Sequence, residues 1–199
     1  MKQHLAQAYR NLGHSLIHGT AGNISVRTPT GMLISPTRTT CDRIMADAVI
    51  ATGLDHPEPG VSSEWALHAA IYRARTDLGA VVHTHSDHCT ALACMNLPLP
   101  PFHYMVLTFG GDDVRCAPYT VFGTPELATL AVAAMDGRSA CLLANHGMIA
   151  AGPDLDTAVA AAHLLEQLAR QYLLTLAAGA PRVLSQQECS EARERFRSY

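Results

Sequence analysis

Several features are scarce or missing in this 199-residue chain, and each absence narrows its role. Charged residues make up only 16% and aromatics 6%, with a single tryptophan. No apolar run approaches the roughly 18 residues of a spanning helix, so no membrane partner is expected. No basic block breaks a net charge of −3, which removes the usual electrostatic footprint of a nucleic-acid binder. No C-x-x-C pair joins Cys41, Cys89, Cys94, Cys116, Cys141 and Cys189, and several of them sit in apolar runs such as "ACLLA". They read as reduced, buried thiols of a cytoplasmic protein. There is no Walker loop and no dinucleotide fingerprint, so no nucleotide is implied. The opening "MKQHLAQAYRNL" is polar and amphipathic, without a signal-peptide core. With no repeat, low-complexity tract or long linker, residues 1–199 read as one domain.

What the chain does have is histidine, eleven of them. Three fall in "AVVHTHSDH", directly behind a valine run. Side chains alternate along a strand, so His83 and His85 share a face and can reach one cation together. The same spacing also fits a strand that merely carries two hydrogen-bonded imidazoles. His88 is off this register and is expected in the following turn, outside any metal site.

Hydrophobic spacing organises the rest. Leu5, Tyr9, Leu12 and Leu16 predict a helix over 5–18, with Gly19 as its stop. "NISVRTPTGMLIS" predicts two strands around a turn, and "VSSEWALHAAIYRAR" a helix capped by Ser62 or Ser63 with Glu64 in its first turn. "AVVHTHS" and "VRCAPY" read as strands. Thr124, Pro125 and Gly137 cap, open and terminate another helix. "ACLLANHGMIAAG" predicts strand, tight turn, strand, with His146 in the turn. A long helix over 155–178 follows, ending at Gly179. A final helix opens with Ser185 and Glu188 in capping-box spacing. Strands joined by short turns favour a mixed or antiparallel sheet covered by helices.

His146 is the best third metal ligand, although a lone turn histidine is also commonly structural. Glu64 and His68 share a helix face at i, i+4, so either is a further candidate. Trp65, His68 and Tyr72 read as packing the helix against the sheet, and His103 as support beside Tyr104. Tyr119 and Phe122 are expected to line or support the pocket. "GTAGNIS", "SPTRTT" and the "SS" before Glu64 are turn-rich hydroxyl runs of the kind that cradle anions.

Taken together, "GTAGNISVR", "SSEWALHAAIYR", "AVVHTHSDHCTAL", "FHYMV", "CAPYTVFGTPEL" and "LLANHGMIA" resemble the class II aldolase/adducin family, nearest its L-fuculose-phosphate aldolase branch. The similarity runs along nearly the whole chain in the same order. S-S-E, H-x-H and N-H-G in that order are far more specific than any one of them. The resemblance implies a three-layer α/β/α sandwich around a largely antiparallel sheet. It implies Zn²⁺ held by His83, His85, His146 and, at rest, Glu64, with Mn²⁺, Co²⁺ or Fe²⁺ suited to the same set. It implies that Glu64 leaves the metal to act as general acid/base. It implies a phosphate site from Gly22, Asn23, Thr37, the backbone at Arg38, Ser62 and Ser63. Tyr104 would reach a neighbouring subunit's site in a homotetramer, and Tyr199 would cover the pocket.

The implied reaction is reversible cleavage of a ketose 1-phosphate, L-fuculose 1-phosphate or a 5-deoxy or pentulose analogue. The products are dihydroxyacetone phosphate and an aldehyde, formed through a zinc-stabilised enediolate. Other members use the same scaffold as 4-epimerases, dehydratases or decarboxylases, and the adducin head is a non-catalytic interaction module. One position departs from the family pattern: relatives carry glycine where this chain has Arg38. Arg38 can add a cation for a phosphate, or signal a carboxylate substrate or a shifted pocket. The loop "GLDHPEPG" before the site is another place where substrate fit can change.

Overall fold

The computed structural model describes residues 1–198. Seven strands form one sheet: β1 (Gly22–Thr28), β2 (Gly31–Ile34), β3 (Ile50–Thr52), β4 (Ala80–Thr84), β5 (Cys116–Ala117), β6 (Ala140–Leu143) and β7 (Gly147–Gly152). Their order across the sheet is β3-β2-β1-β4-β7-β6-β5. Every neighbouring pair is antiparallel except β5 with β6. The sheet is therefore largely antiparallel, as the short turns between strands predicted.

Alternation splits the sheet residues between two apolar layers. Ala80, Val82, Met148 and Ala150 pack with α1 (Lys2–Leu12), α3 (Asp87–Cys94) and α5 (Leu155–Ala178). Val81, Ile149 and Ala151 pack with α2 (Trp65–Ala74) and α4 (Pro125–Ala134) on the other face. Helices thus cover both faces of the sheet, giving three layers. The last helix, α6 (Gln186–Arg197), leaves this sandwich and packs on a 3₁₀ segment, Tyr104–Phe109.

Local signals account for most boundaries. The Thr124 hydroxyl accepts from the Leu127 N–H, with Pro125 at the first helical position. Ser185 and Glu188 close a reciprocal capping box. The helix predicted over 5–18 instead ends at Leu12. At that end a Cβ on Gly13 would lie 2.4 Å from the Cys41 Cβ, so only glycine lets the chain pass this close to the Cys41 loop. Helix α3 was not expected at all. Its first turn is anchored by Glu166 of α5, which accepts from the His88 and Cys89 N–H groups. Four cysteines are buried, but Cys116 is half-buried and Cys94 exposed, which corrects the expectation of uniformly buried thiols.

Candidate metal centre and anion cradle

The end of β4 meets the turn between β6 and β7. His83 is the fourth residue of β4, and His85 lies just past its end. His146 stands in a four-residue turn closed by its own N–H on the Leu143 carbonyl, at 3.0 Å. Asn145 supplies the left-handed residue that the turn needs, at φ 54°. Gly147 must be glycine, because a Cβ there would sit 2.4 Å from the Thr84 carbonyl oxygen. The N-H-G motif is thus a device that presses one imidazole against the end of β4.

The three rings face one another edge-on, with centroids 4.7–5.0 Å apart. One nitrogen from each lies within 4.8 Å of the other two. The His83 Nδ1–H donates to the Met148 carbonyl at 2.9 Å, which leaves the Nε2 lone pair facing the His85 Nε2 at 3.1 Å. Burial, and then the neighbouring His146 and His85, hold His83 well below its ordinary value. His85 is lowered by burial. His146 is lowered to about 4, by burial and then by His85. Three neutral imidazoles with converging lone pairs are a ligand set for a divalent cation.

Glu64 borders the same cavity but is absent from the histidine cluster. It is almost fully buried, at 4% exposure. Its Oε1 accepts from the Gly123 N–H at 3.1 Å, while its Oε2 has no hydrogen-bond partner among the described residues. Burial pushes its carboxyl up to about 7, with the Gly123 N–H pulling the other way. Glu64 occupies the N-cap position of α2 rather than the interior of its first turn. Its side chain makes no capping hydrogen bond and borders the cavity.

Glu64, His83, His85 and His146 all border a cavity of about 400 Å³. Gly22, Asn23, Thr37, Arg38, Ser62 and Ser63 border the same cavity, as do Tyr119 and Phe122. The Ser62 hydroxyl accepts from the Glu64 N–H, and the Thr37 N–H donates to Gly60 at the end of the 53–60 loop. Arg38 adopts a positive φ of 56°, a conformation ordinarily left to glycine.

Two residues fall elsewhere. His88 binds Glu166 at 2.7 Å, in the first turn of α3 rather than in a loop, and is absent from the histidine cluster. Tyr104 does not border the cavity of its own chain; it is half-exposed and stacks between His103 and Phe196. Tyr199 lies outside the described residues.

Sequence reasoning assigned His68 to packing and missed its polar role. Its Nε2 lies 2.5 Å from the Asn23 Oδ1 and its Nδ1 2.6 Å from the Ser25 hydroxyl. The available signal was a pair of periods: N-x-S on a strand and H-x-x-x-Y on a helix each put two polar groups on one face.

The sequence profile of the Class II Aldolase and Adducin N-terminal domain family matches residues 3–173. The chain belongs to this family. It is 44% identical over 184 residues to a Rhodospirillum rubrum protein named 5-methylthioribulose-1-phosphate/5-deoxyribulose-1-phosphate aldolase, covering 91% of this chain and 83% of that one. It is 44% identical over 188 residues to an Escherichia coli L-fuculose phosphate aldolase, covering 92% and 87%. Among solved structures, an L-fuculose 1-phosphate aldolase superposes with a TM-score of 0.93 at 36% identity, covering 98% of this chain and 95% of that one. Helices on both faces of a largely antiparallel sheet are thus the family's architecture. No described helix is long and apolar enough to cross a membrane.

Proposed function

We propose that this chain is a metal-dependent class II aldolase. It reversibly cleaves a ketose 1-phosphate, L-fuculose 1-phosphate or a 5-deoxy, methylthio or pentulose analogue, to dihydroxyacetone phosphate and an aldehyde. One observation carries the reading: three imidazoles converge, and a buried carboxylate whose Oε2 has no partner among the described residues borders the same hydroxyl-lined cavity. A divalent cation fits the facing lone pairs of the three imidazoles. His83, His85 and His146 would hold it, with Glu64 as fourth ligand at rest. Zn²⁺ is the proposed occupant, and Mn²⁺, Co²⁺ or Fe²⁺ suit the same ligands. When bound, the cation supplies Lewis-acid stabilisation of negative charge developing on substrate oxygen.

The protein's own groups do the rest. Gly22, Asn23, Thr37, the backbone at Arg38, Ser62 and Ser63 grip the substrate phosphate, remote from the reacting carbons, and so orient them. Glu64, once displaced by substrate, returns a proton to the dihydroxyacetone carbon after the C3–C4 bond breaks, and removes it in the synthetic direction. Tyr104 of the partner subunit would exchange the proton at the aldehyde oxygen, with four copies building four sites at their interfaces. Tyr199 would close the pocket. Tyr119 and Phe122, both strongly exposed at the mouth, offer an apolar surface for the aldehyde tail. A cytoplasmic setting fits six free thiols.

An aldol assay tests this reading. Dihydroxyacetone phosphate is supplied with lactaldehyde, glycolaldehyde and methylthio or deoxy analogues, and product is followed together with metal content. Metal-dependent carbon–carbon bond formation with at least one aldehyde is expected. A metal-loaded protein that forms no product with any of them would move the assignment to epimerase or decarboxylase chemistry. A well-folded protein that retains no divalent metal would move it to a binding module.

A further inference from the structure

Asn23 and Ser25 are two apart on β1, while His68 and Tyr72 are four apart on α2, so each pair shares a face. The two pairs interlock into one buried chain. The Asn23 Oδ1 meets the His68 Nε2 at 2.5 Å, and the His68 Nδ1 meets the Ser25 Oγ at 2.6 Å. The Ser25 Oγ then meets the Tyr72 hydroxyl at 2.7 Å. Ser25, His68 and Tyr72 have no exposed surface, and Asn23 has 4%, at the cavity.

This chain can run in two directions, and proton counting selects one. If the Asn23 amide donated to His68, then His68 would donate to Ser25. Either the Ser25 or the Tyr72 hydroxyl would then keep a buried proton with no acceptor, because neither has another acceptor among the described residues. In the opposite direction Tyr72 donates to Ser25, Ser25 donates to the His68 Nδ1, and the His68 Nε2–H donates to the Asn23 carbonyl oxygen. Every N–H and O–H of His68, Ser25 and Tyr72 then has an acceptor. An imidazolium is excluded by complete burial without a carboxylate partner.

We propose that His68 is a positioning residue, locked as the Nε2–H tautomer, which turns the Asn23 amide so that its NH₂ rather than its carbonyl faces the cavity. The occupant so served is an anionic group, the phosphate of the substrate. Reversed, the amide would point a carbonyl oxygen at that anion. This inference rests on the phosphate cradle proposed above for Asn23.

Nitrogen-15 NMR of the metal-loaded protein reads the tautomer directly, with the His68 signals assigned by their loss in His68→Gln. A pyrrole-type Nε2 and a pyridine-type Nδ1 are expected. Ser25→Ala removes the donor that fixes this tautomer without touching the cavity. It should weaken inorganic phosphate binding roughly tenfold and raise KM for the phosphorylated substrate by the same factor, with kcat within about twofold. An Nδ1–H tautomer, or wild-type phosphate affinity in Ser25→Ala, overturns the proposal even if the enzyme is an aldolase. The expected tautomer in a protein that binds no phosphate overturns the cradle instead.

Discussion

Two buried polar clusters lie side by side in this molecule and are built on opposite rules. Around His68 both ring nitrogens and the Ser25 and Tyr72 hydroxyls can be paired within the protein, and only the Asn23 NH₂ is left for the cavity. Around His83 the nitrogens face one another, and the Glu64 Oε2 has no partner among the described residues. The first cluster holds itself together, and the second has bonding capacity left over for something else. Both consist of neutral histidines lowered by burial. Burial alone therefore does not mark a ligand site; unsatisfied convergence does.

This contrast is sharpest when one member of each cluster is removed. His146→Ala should abolish metal retention and lower aldol turnover at least about 1,000-fold, the scale of losing Lewis-acid catalysis. The metal-free variant should keep its stability within about 1 kcal/mol, since no satisfied bond is lost. Metal analysis and urea unfolding read both quantities. Glu64→Gln keeps the shape but loses the proton-transfer group. It should lower kcat by about 100-fold or more, with metal content largely kept, as single-turnover kinetics and metal analysis would show.

His68→Ala tests the other rule. It strands Asn23, Ser25 and Tyr72 and opens a cavity, so a loss of about 3 kcal/mol is expected from denaturant titration. The same residue makes stability depend on acid. Burial lowers the His68 value to about 3, against an ordinary value of 6.5, so the unfolded chain binds the extra proton between those values. Stability should fall as pH drops through that window, by up to about 1.4 kcal/mol per pH unit for this one group. His68→Gln should flatten the slope by one proton.

The smallest effect is expected at the cavity rim. Arg38→Gly relieves a left-handed non-glycine residue and should raise stability by about 0.5–1 kcal/mol. It also removes a solvent-exposed cation from the cradle, so KM for the phosphorylated substrate should rise only about threefold, and less at high salt. A KM unchanged at low salt would remove Arg38 from the phosphate grip.

Much of this was legible in the chain. The long helix over 155–178, the capping box at Ser185 and the turn at N-H-G all follow from local rules, which act over a few residues. The pairing of His83 with His85 follows from strand alternation. Three things did not follow. Gly13, where α1 ends, packs against Cys41, distant in sequence. Helix α3 depends on Glu166, contributed by α5. His68 looked like packing because its partners, Asn23 and Ser25, lie on β1, more than 40 residues earlier.

By itself, then, the sequence determined which residues could act: two imidazoles on one strand face, a third in a turn, a carboxylate before a helix, and hydroxyls in turns. Periodicity, capping and turn preferences are local, and they write themselves into short stretches. Only the tertiary structure decided which of those groups remain unsatisfied. It gave His88 to Glu166 and His68 to Asn23 and Ser25, and it left His83, His85, His146 and Glu64 converging on one cavity. Hydrogen-bond satisfaction is a property of the whole packed molecule, because the partner that completes a group arrives from any distance along the chain.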